Sequence, residues 1–234
     1  MPNPGRLVLV CTPIGNLGDL SPRAAEALSL ADFWLVEDTR VSGKLQAHLG
    51  LKKPMRVLNE HTTPAARGKF LDEVEAGACA ALLTDAGAPT ISDPGALLVD
   101  ESWSRSIEVD AIPGPSAVID ALMLSGFFAQ QFSFLGFLPR KPGPALKELS
   151  AFADSTHTLV LFESPFRTEK ILSVAYEALG ERRYAVCREL TKLHQQVYRN
   201  TLPALPKAGE VPAKGEFVIV VEGKRRKRNE GKRV

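Results

Sequence analysis

Short apolar runs of strand length alternate with amphipathic stretches of helix length along most of the chain. RLVLVC (6–11) is the first such run. SPRAAEALSLA (21–31) follows, with Ser21 placed to cap a helix and Pro22 in its first turn. FWLVE (33–37) predicts a second strand, and RVSGKLQAHLG (40–50) a helix closed by Gly50. MRVLN, PAARGKFLDEVEAG, CAALLT, PGALLVDESW and SIEVDAI then read as strand, helix, strand, helix and strand. CAALLT is apolar on both faces, as expected where helices cover both sides of a sheet. The segment IPGPSA (112–117) breaks the pattern with two prolines and a glycine. Beyond it lie a helix PSAVIDALMLSG ending at Gly126, a strand in FSFLGF and a basic, Pro/Gly-rich loop LPRKPGP. PALKELSAFAD, THTLVLFE, SPFRTEKILSVAYEALG, RRYAVCREL and GEFVIVVEG continue the alternation, and no internal repeat is visible. The pattern predicts an α/β protein built on a largely parallel sheet flanked by helices. The break predicts two domains of ordinary size, 1–113 and 114–223, followed by a basic tail at 224–234.

Composition narrows the class. The chain has 234 residues, 44% of them hydrophobic and 24% charged, which suits a globular fold. No apolar run reaches the roughly 18 residues of a membrane span, and the N-terminus lacks a signal-peptide layout, so a cytoplasmic protein away from membranes is expected. Cys11, Cys79 and Cys187 are far apart and form no C-x-x-C, which favours buried reduced thiols over a disulfide or zinc ligands. The histidines at 48, 61, 157 and 194 show no metal spacing, so no metal is expected. Net charge is +2, but the tail KRRKRNEGKRV carries seven basic residues and one acid, leaving the body at −4. That tail reads as a disordered segment: either an electrostatic handle for nucleic acid or a solvated terminus.

Chemistry-bearing residues gather where predicted strands end. TPIGN (12–16) follows the first strand, and ligands in open α/β sheets bind outside such strand ends. TDAGAPTISDPG (84–95) leaves the CAALL strand and is long for a βα loop. Asp93 as N-cap and Pro94 at the first helical position explain only its last residues. Gly87 permits a close approach or positive φ, and Pro89 stiffens the rest. Neither G-x-G-x-x-G nor G-x-x-x-x-G-K-[ST] occurs, and Ser116 lacks a nucleophile-elbow setting. EDTR (37–40) ends the second strand either as a polar site or as a helix cap with Arg40 solvated. FESPFR (162–167) and RELTK (188–192) repeat an acid at a strand end with a cation close behind. Such endings in both halves predict a polar cleft between domains. His61 reads first as a surface histidine and second as a substrate contact.

TPIGN, EDTR, TDAGAPTISDPG, PGPSA, GFLPRK, FESPFR, ELTK and GEFVIVVEG together resemble the ribosomal RNA small subunit methyltransferase I family, from about residue 6 to 223. The family uses S-adenosylmethionine to methylate a cytidine ribose 2′-oxygen in 16S rRNA and belongs to the tetrapyrrole-methylase superfamily. The resemblance implies a two-domain, tetrapyrrole-methylase-like fold of the class III S-adenosylmethionine methyltransferases. Each domain would carry a mixed or parallel sheet flanked by helices, and the enzyme would be a homodimer. It places the cofactor against Thr12, Pro13, Ile14 and Gly15, against Asp85, Ala86, Gly87, Ala88 and Ile91, and against Ser116, Ala117 and Phe162. The sequence departs from the family at Phe166, where His is usual, at Thr62, where Asn is frequent, and in ending with the basic tail rather than a small helical region.

A ribose hydroxyl is a poor nucleophile, so a nearby base or a cation beside the developing alkoxide should help. Glu37, Asp38, Glu163 and Glu189 are the candidate acids, and Arg40 and Lys192 the candidate cations. Arg140, Lys141 and Arg167 are either phosphate contacts on the 16S rRNA of the 30S subunit or solvated loop charges. The competing readings are a methyltransferase acting on a corrin or porphyrin precursor, a non-catalytic module that keeps the cofactor fold and, more distantly, a general oligonucleotide-binding protein. The sequence offers the last no aromatic stacking platform: aromatics make up 7% of the chain and fall mostly in strand-like runs.

Overall fold

The computed structural model describes residues 5–225. The expected disordered tail lies, from residue 226 on, outside the described residues. Its first two positions are tied: Lys224 pairs with Asp154 and Arg225 with Glu222. The chain divides into two compact units, Met1–Ser116 and Ala117–Val234.

The first unit runs β1 (Arg6–Val10), α1 (Pro22–Leu30), β2 (Phe33–Val36), α2 (Thr39–Leu49), β3 (Met55–Val57), α3 (Pro64–Glu75), β4 (Cys79–Leu82), α4 (Ala96–Ser104) and β5 (Glu108–Ile112). Its five strands are all parallel, in the order β3-β2-β4-β1-β5. Side chains alternate across the sheet. Val8, Val10, Trp34, Val36 and Ala81 join one core, and Leu7, Phe33, Leu35, Ala80 and Leu82 the other. The helix starts follow local chemistry: the Ser21 side chain accepts from the Ala24 amide and that of Thr63 from the Ala66 amide, each followed by proline. Gly50 ends α2 in the left-handed region at φ 63°.

One expected cap is wrong. α4 starts at Ala96 rather than Pro94, with Gly95 at the N-cap and no side-chain cap. Gly95 holds φ 122°, and a Cβ there would come within 2.9 Å of the Leu82 side chain. Asp93 instead hydrogen-bonds the Thr84 side chain.

The second unit runs α5 (Ala117–Ser125), β6 (Phe132–Phe137), α6 (Pro142–Ser150), β7 (Thr158–Glu163), α7 (Thr168–Leu179), β8 (Arg183–Arg188), β9 (Gln196–Thr201) and β10 (Phe217–Val221). Strand order is β6-β7-β10-β8-β9. Only β6 and β7 are parallel, because β10 inserts antiparallel between β7 and β8, and β8 pairs antiparallel with β9. The expected largely parallel sheet therefore holds for the first unit alone. β9, an edge strand with no fully buried residue, was not anticipated. α6 also begins at Pro142, inside the stretch expected to be loop. Of the three free thiols only Cys187 is buried; Cys11 and Cys79 are half-buried. No helix among the described residues is long and apolar enough to cross a membrane.

Candidate active site

At the C-terminal edge of the first sheet the loops after β1, β4 and β5 are sewn together. The Thr12 amide donates to the Gly87 carbonyl (2.9 Å), and the Gly87 amide donates back to Thr12 (3.1 Å). The Thr12 hydroxyl donates to the Thr84 carbonyl at 3.2 Å. Gly87, at φ 89°, meets Ile14 so closely that a Cβ would lie 3.2 Å from its Cγ2. Gly114 fits against Cys11, where a Cβ would approach to 2.8 Å. Thr12 and Ile14 are thus buried and brace the seat, while Gly15, Ala86 and Ile91 remain exposed and Pro13 half-exposed. Thr90 and Ser92 also hold positive φ, at 74° and 62°. For a β-branched residue such as Thr90 that is strained backbone, a feature that clusters at ligand clamps.

The same edge is acidic. An open depression of about 670 Å³ is lined by Glu37, Asp38, Glu60, His61, Asp85 and Asp93, among others. The Asp85 carboxylate accepts from the Asp38 amide at 3.2 Å. The Thr84 hydroxyl faces Glu37 at 3.5 Å and Asp93 as well, so one proton serves two carboxylates. Burial raises the pKa of Glu37, and the charges of Asp85 and Asp93 add to the rise. Burial also raises Asp85 and Asp93. Asp38 goes the other way, to about 2, because the Arg40 side chain and amide both donate to it. Asp38 is the N-cap of α2, and Arg40 is its exposed partner. His61 sits on the rim of this depression and is exposed; Asn59, Glu60, Ser92 and Asp93 are members the sequence reading did not propose. The available signal was position, since NEH directly follows β3.

At the corresponding edge of the second unit the charges are neutralised. Glu163 ends β7 with its side chain 1% exposed. Its Oε1 accepts from the Ser164 amide, and its Oε2 lies 3.3 Å from the Arg167 guanidinium without a formed hydrogen bond. Arg167 donates to the carbonyls of Leu138 and Pro139, so this candidate phosphate contact is committed to bracing the β6 exit. Phe162 packs edge-on against Phe134 and Phe137 at 4.9 and 5.6 Å. Arg140 and Lys141 are exposed at the turn into α6. Beyond β8, Glu189 and Thr191 take positive φ, at 50° and 63°. The Glu216 amide and the Lys192 ammonium donate to Glu189 and, against burial, hold its carboxyl below the usual range. Burial opposes the charge on Lys192, but its hydrogen bonds to Glu216 and Glu189 outweigh this and raise it. The nearly buried Arg188, which the sequence reading passed over, ties this loop down through the carbonyls of Lys214 and His194.

The residues present suit a cationic ligand at the first edge. Three carboxylates with raised pKa values face one depression, and a positive charge there would relieve their mutual repulsion. Among the described residues no group of His, Cys, Asp and Glu is arranged to hold a metal ion.

The profile of the Tetrapyrrole (Corrin/Porphyrin) Methylases family matches residues 6–206. A ribosomal RNA small subunit methyltransferase I of Xylella fastidiosa is 41% identical over 227 residues, which cover 95% of this chain and 83% of that protein. Among solved structures, the methyltransferase CobJ superposes with a TM-score of 0.68 at 15% identity, covering 95% of this chain and 96% of its own. Uroporphyrin-III C-methyl transferase from Thermus thermophilus, solved with S-adenyl homocysteine, gives 0.64 at 19% identity, covering 93% of this chain and 97% of its own. With its loops, its acidic edge and these likenesses in one account, the chain belongs to the tetrapyrrole methylase family and, within it, to the ribosomal RNA small subunit methyltransferase I group, and it is a methyltransferase.

Proposed function

We propose that the enzyme uses S-adenosylmethionine to methylate a cytidine ribose 2′-oxygen in the 16S rRNA of the small ribosomal subunit. The observation that carries this reading is the acidic depression at the first sheet edge, lined in part by the loop after β4, which Gly87 braces against Thr12. When bound, the cofactor supplies a methyl group on a positively charged sulfur. Pro13, Gly15, Asp85, Ala86, Ala88 and Ile91 would hold it, with Thr12, Ile14 and Gly87 fixing the wall, while Ser116, Ala117 and Phe162 remain assigned through the resemblance.

Glu37 is the candidate of choice for the base. Its raised pKa brings it nearer neutrality than an ordinary carboxylate, as proton acceptance from a weakly acidic hydroxyl requires. Asp38 is less suited, being a helix cap paired with Arg40, and Glu163 and Glu189 are held by their own cations. Lys192 carries its charge securely and is the candidate for stabilising developing negative charge. Arg140 and Lys141 are the candidate phosphate contacts; Arg167 and Arg40 are positioning residues. The enzyme works in the cytoplasm as a homodimer, a state supported by the exposed apolar side chains of Ile119, Met123 and Leu124 on α5. Sedimentation at micromolar concentration tests the dimer.

The test of function is transfer of a labelled methyl group from S-adenosylmethionine to 30S subunits lacking ribose methylation, followed by nucleoside analysis. Label in 2′-O-methylcytidine is the expected result. Cofactor binding with no label in the RNA overturns the substrate assignment.

A further inference from the structure

The second unit has a surface that this chemistry leaves unused. β7 runs from Thr158 to Glu163, and β10 passes it antiparallel, with Phe217 opposite Glu163 and Val221 opposite Leu159. The Thr158 end is therefore one strand length, about 17–20 Å, from the Glu163 end. At that far end lies a depression of about 980 Å³, lined by Phe128, Gln130, Gln131, Thr156, Lys224 and Arg225, among others.

Its parts are held in place. The Thr158 hydroxyl donates to the Phe128 carbonyl, fixing the backbone there, while Phe128 stays 65% exposed. Gly223 lies flush against the chain at Thr156, where a Cβ would come within 2.2 Å of the carbonyl oxygen. The Lys224 amide donates to Ser155 at 2.7 Å. The chain therefore enters its basic run along the rim of the depression, and the sequence continues Arg226, Lys227, Arg228. Lys224 pairs with Asp154, whose side chain is 90% exposed, and such a pair is worth little in water and yields readily to a phosphate. Arg225 shares Glu222 with Arg183, so one carboxylate there faces two guanidiniums.

We propose that this depression docks a single-stranded RNA segment, with a base stacked on Phe128, the side-chain amides of Gln130 and Gln131 on base or ribose edges, and Lys224 and Arg225 on phosphates. An exposed aromatic face beside amides and cations is the combination that binds RNA strands with little sequence preference. The inference rests on the rRNA reading above and adds to it a second contact, at the end of the second sheet opposite Glu163. It also supplies the stacking side chain that the sequence did not reveal, because Phe128 lies in a short stretch, GFFAQQF, between the α5 helix and the β6 strand.

The experiment measures fluorescence anisotropy of a labelled single-stranded RNA of about a dozen nucleotides over a series of salt concentrations, alongside steady-state methylation of 30S subunits. Phe128→Ala is expected to weaken RNA binding about tenfold with an unchanged salt slope. The double variant Lys224→Gln/Arg225→Gln is expected to lower the slope of log affinity against log salt by about 1.4, two single-strand phosphates' worth. Both should raise KM for 30S and leave kcat alone. Wild-type affinity, slope and KM in both variants, with methylation intact, overturn the inference and leave the rRNA reading standing. Absence of methylation by the wild type overturns that reading instead. In that case RNA binding sensitive to Phe128 upholds the docking surface, and absence of RNA binding removes it too.

Discussion

The two sheet edges treat their carboxylates in opposite ways. In the first unit Glu37, Asp85 and Asp93 crowd one another, all three are raised, and among the described residues none forms an ion pair. At the second edge Glu163 faces Arg167 and Glu189 faces Lys192, and at the opposite end of that sheet Glu222 faces both Arg183 and Arg225. Like charges left together cost stability, and a fold tolerates the cost where a ligand completes the site. The first edge is thus suited to a positively charged ligand. At the second edge each carboxylate already has a cation of its own.

The comparison breaks most visibly in turnover. Glu37→Gln should lower kcat by about 10²–10⁴ while cofactor affinity changes little. Its pH profile should also lose the acidic limb, which the wild type shows as Glu37 deprotonates. Equal kcat in variant and wild type would remove Glu37 as base and the functional half of the contrast. Next in size is Arg167→Ala, which strands the buried Glu163 without a cation and should cost about 3 kcal/mol in denaturant unfolding. Adding Glu163→Gln should recover part of that loss, as double-mutant coupling requires.

Smaller effects have opposite signs in the two units. Asp93→Asn should stabilise the ligand-free protein by about 0.5–2 kcal/mol at neutral pH. Asp93 has a raised folded-state pKa, so its stabilising contribution exists only below the unfolded value and is lost as pH rises through the folded one. The gain from Asp93→Asn should therefore disappear in acid. Glu222 is the reverse: the Arg183 and Arg225 guanidiniums overcome burial and lower it. Glu222→Gln should cost stability at neutral pH, and the cost should fade as pH falls through the folded value. Thermal melts at several pH values read both signs. Smallest is Thr90→Gly, which relieves a left-handed β-branched residue and should stabilise by about 1 kcal/mol or less.

What was legible in the sequence was what is local. Ser21 with Pro22, Gly50 and Gly126 punctuate helices by their own chemistry, and the structure ends those helices where they say. The loops proposed to carry function stand out by length and by Gly, Pro and Asp content. Features set by distant partners did not. β10 arrives from the far end of the chain to separate β7 from β8, so no window of sequence reveals the antiparallel ladder. β9 lies at an edge with an alternating, mostly polar face, which reads as loop. Asp93 has the residue type and position of an N-cap, yet Thr84 and Leu82, contributed by β4 and its exit, redirect it and shift the cap to Gly95. Arg167 resembles a solvated cation until the carbonyls of Leu138 and Pro139 are brought beneath it.

The reciprocal bonds between Thr12 and Gly87 divide the long loop after β4 into a fixed half and a free half. Residues up to Gly87 move only if the β1 exit moves with them, so the seat is organised before anything arrives, and little chain entropy is lost on filling it. Residues 90–94 have no such cross-loop tie among the described residues and carry the left-handed Thr90 and Ser92. That second half, which lines the depression through Ser92, Asp93 and Pro94, is therefore the part of its lining least fixed in advance.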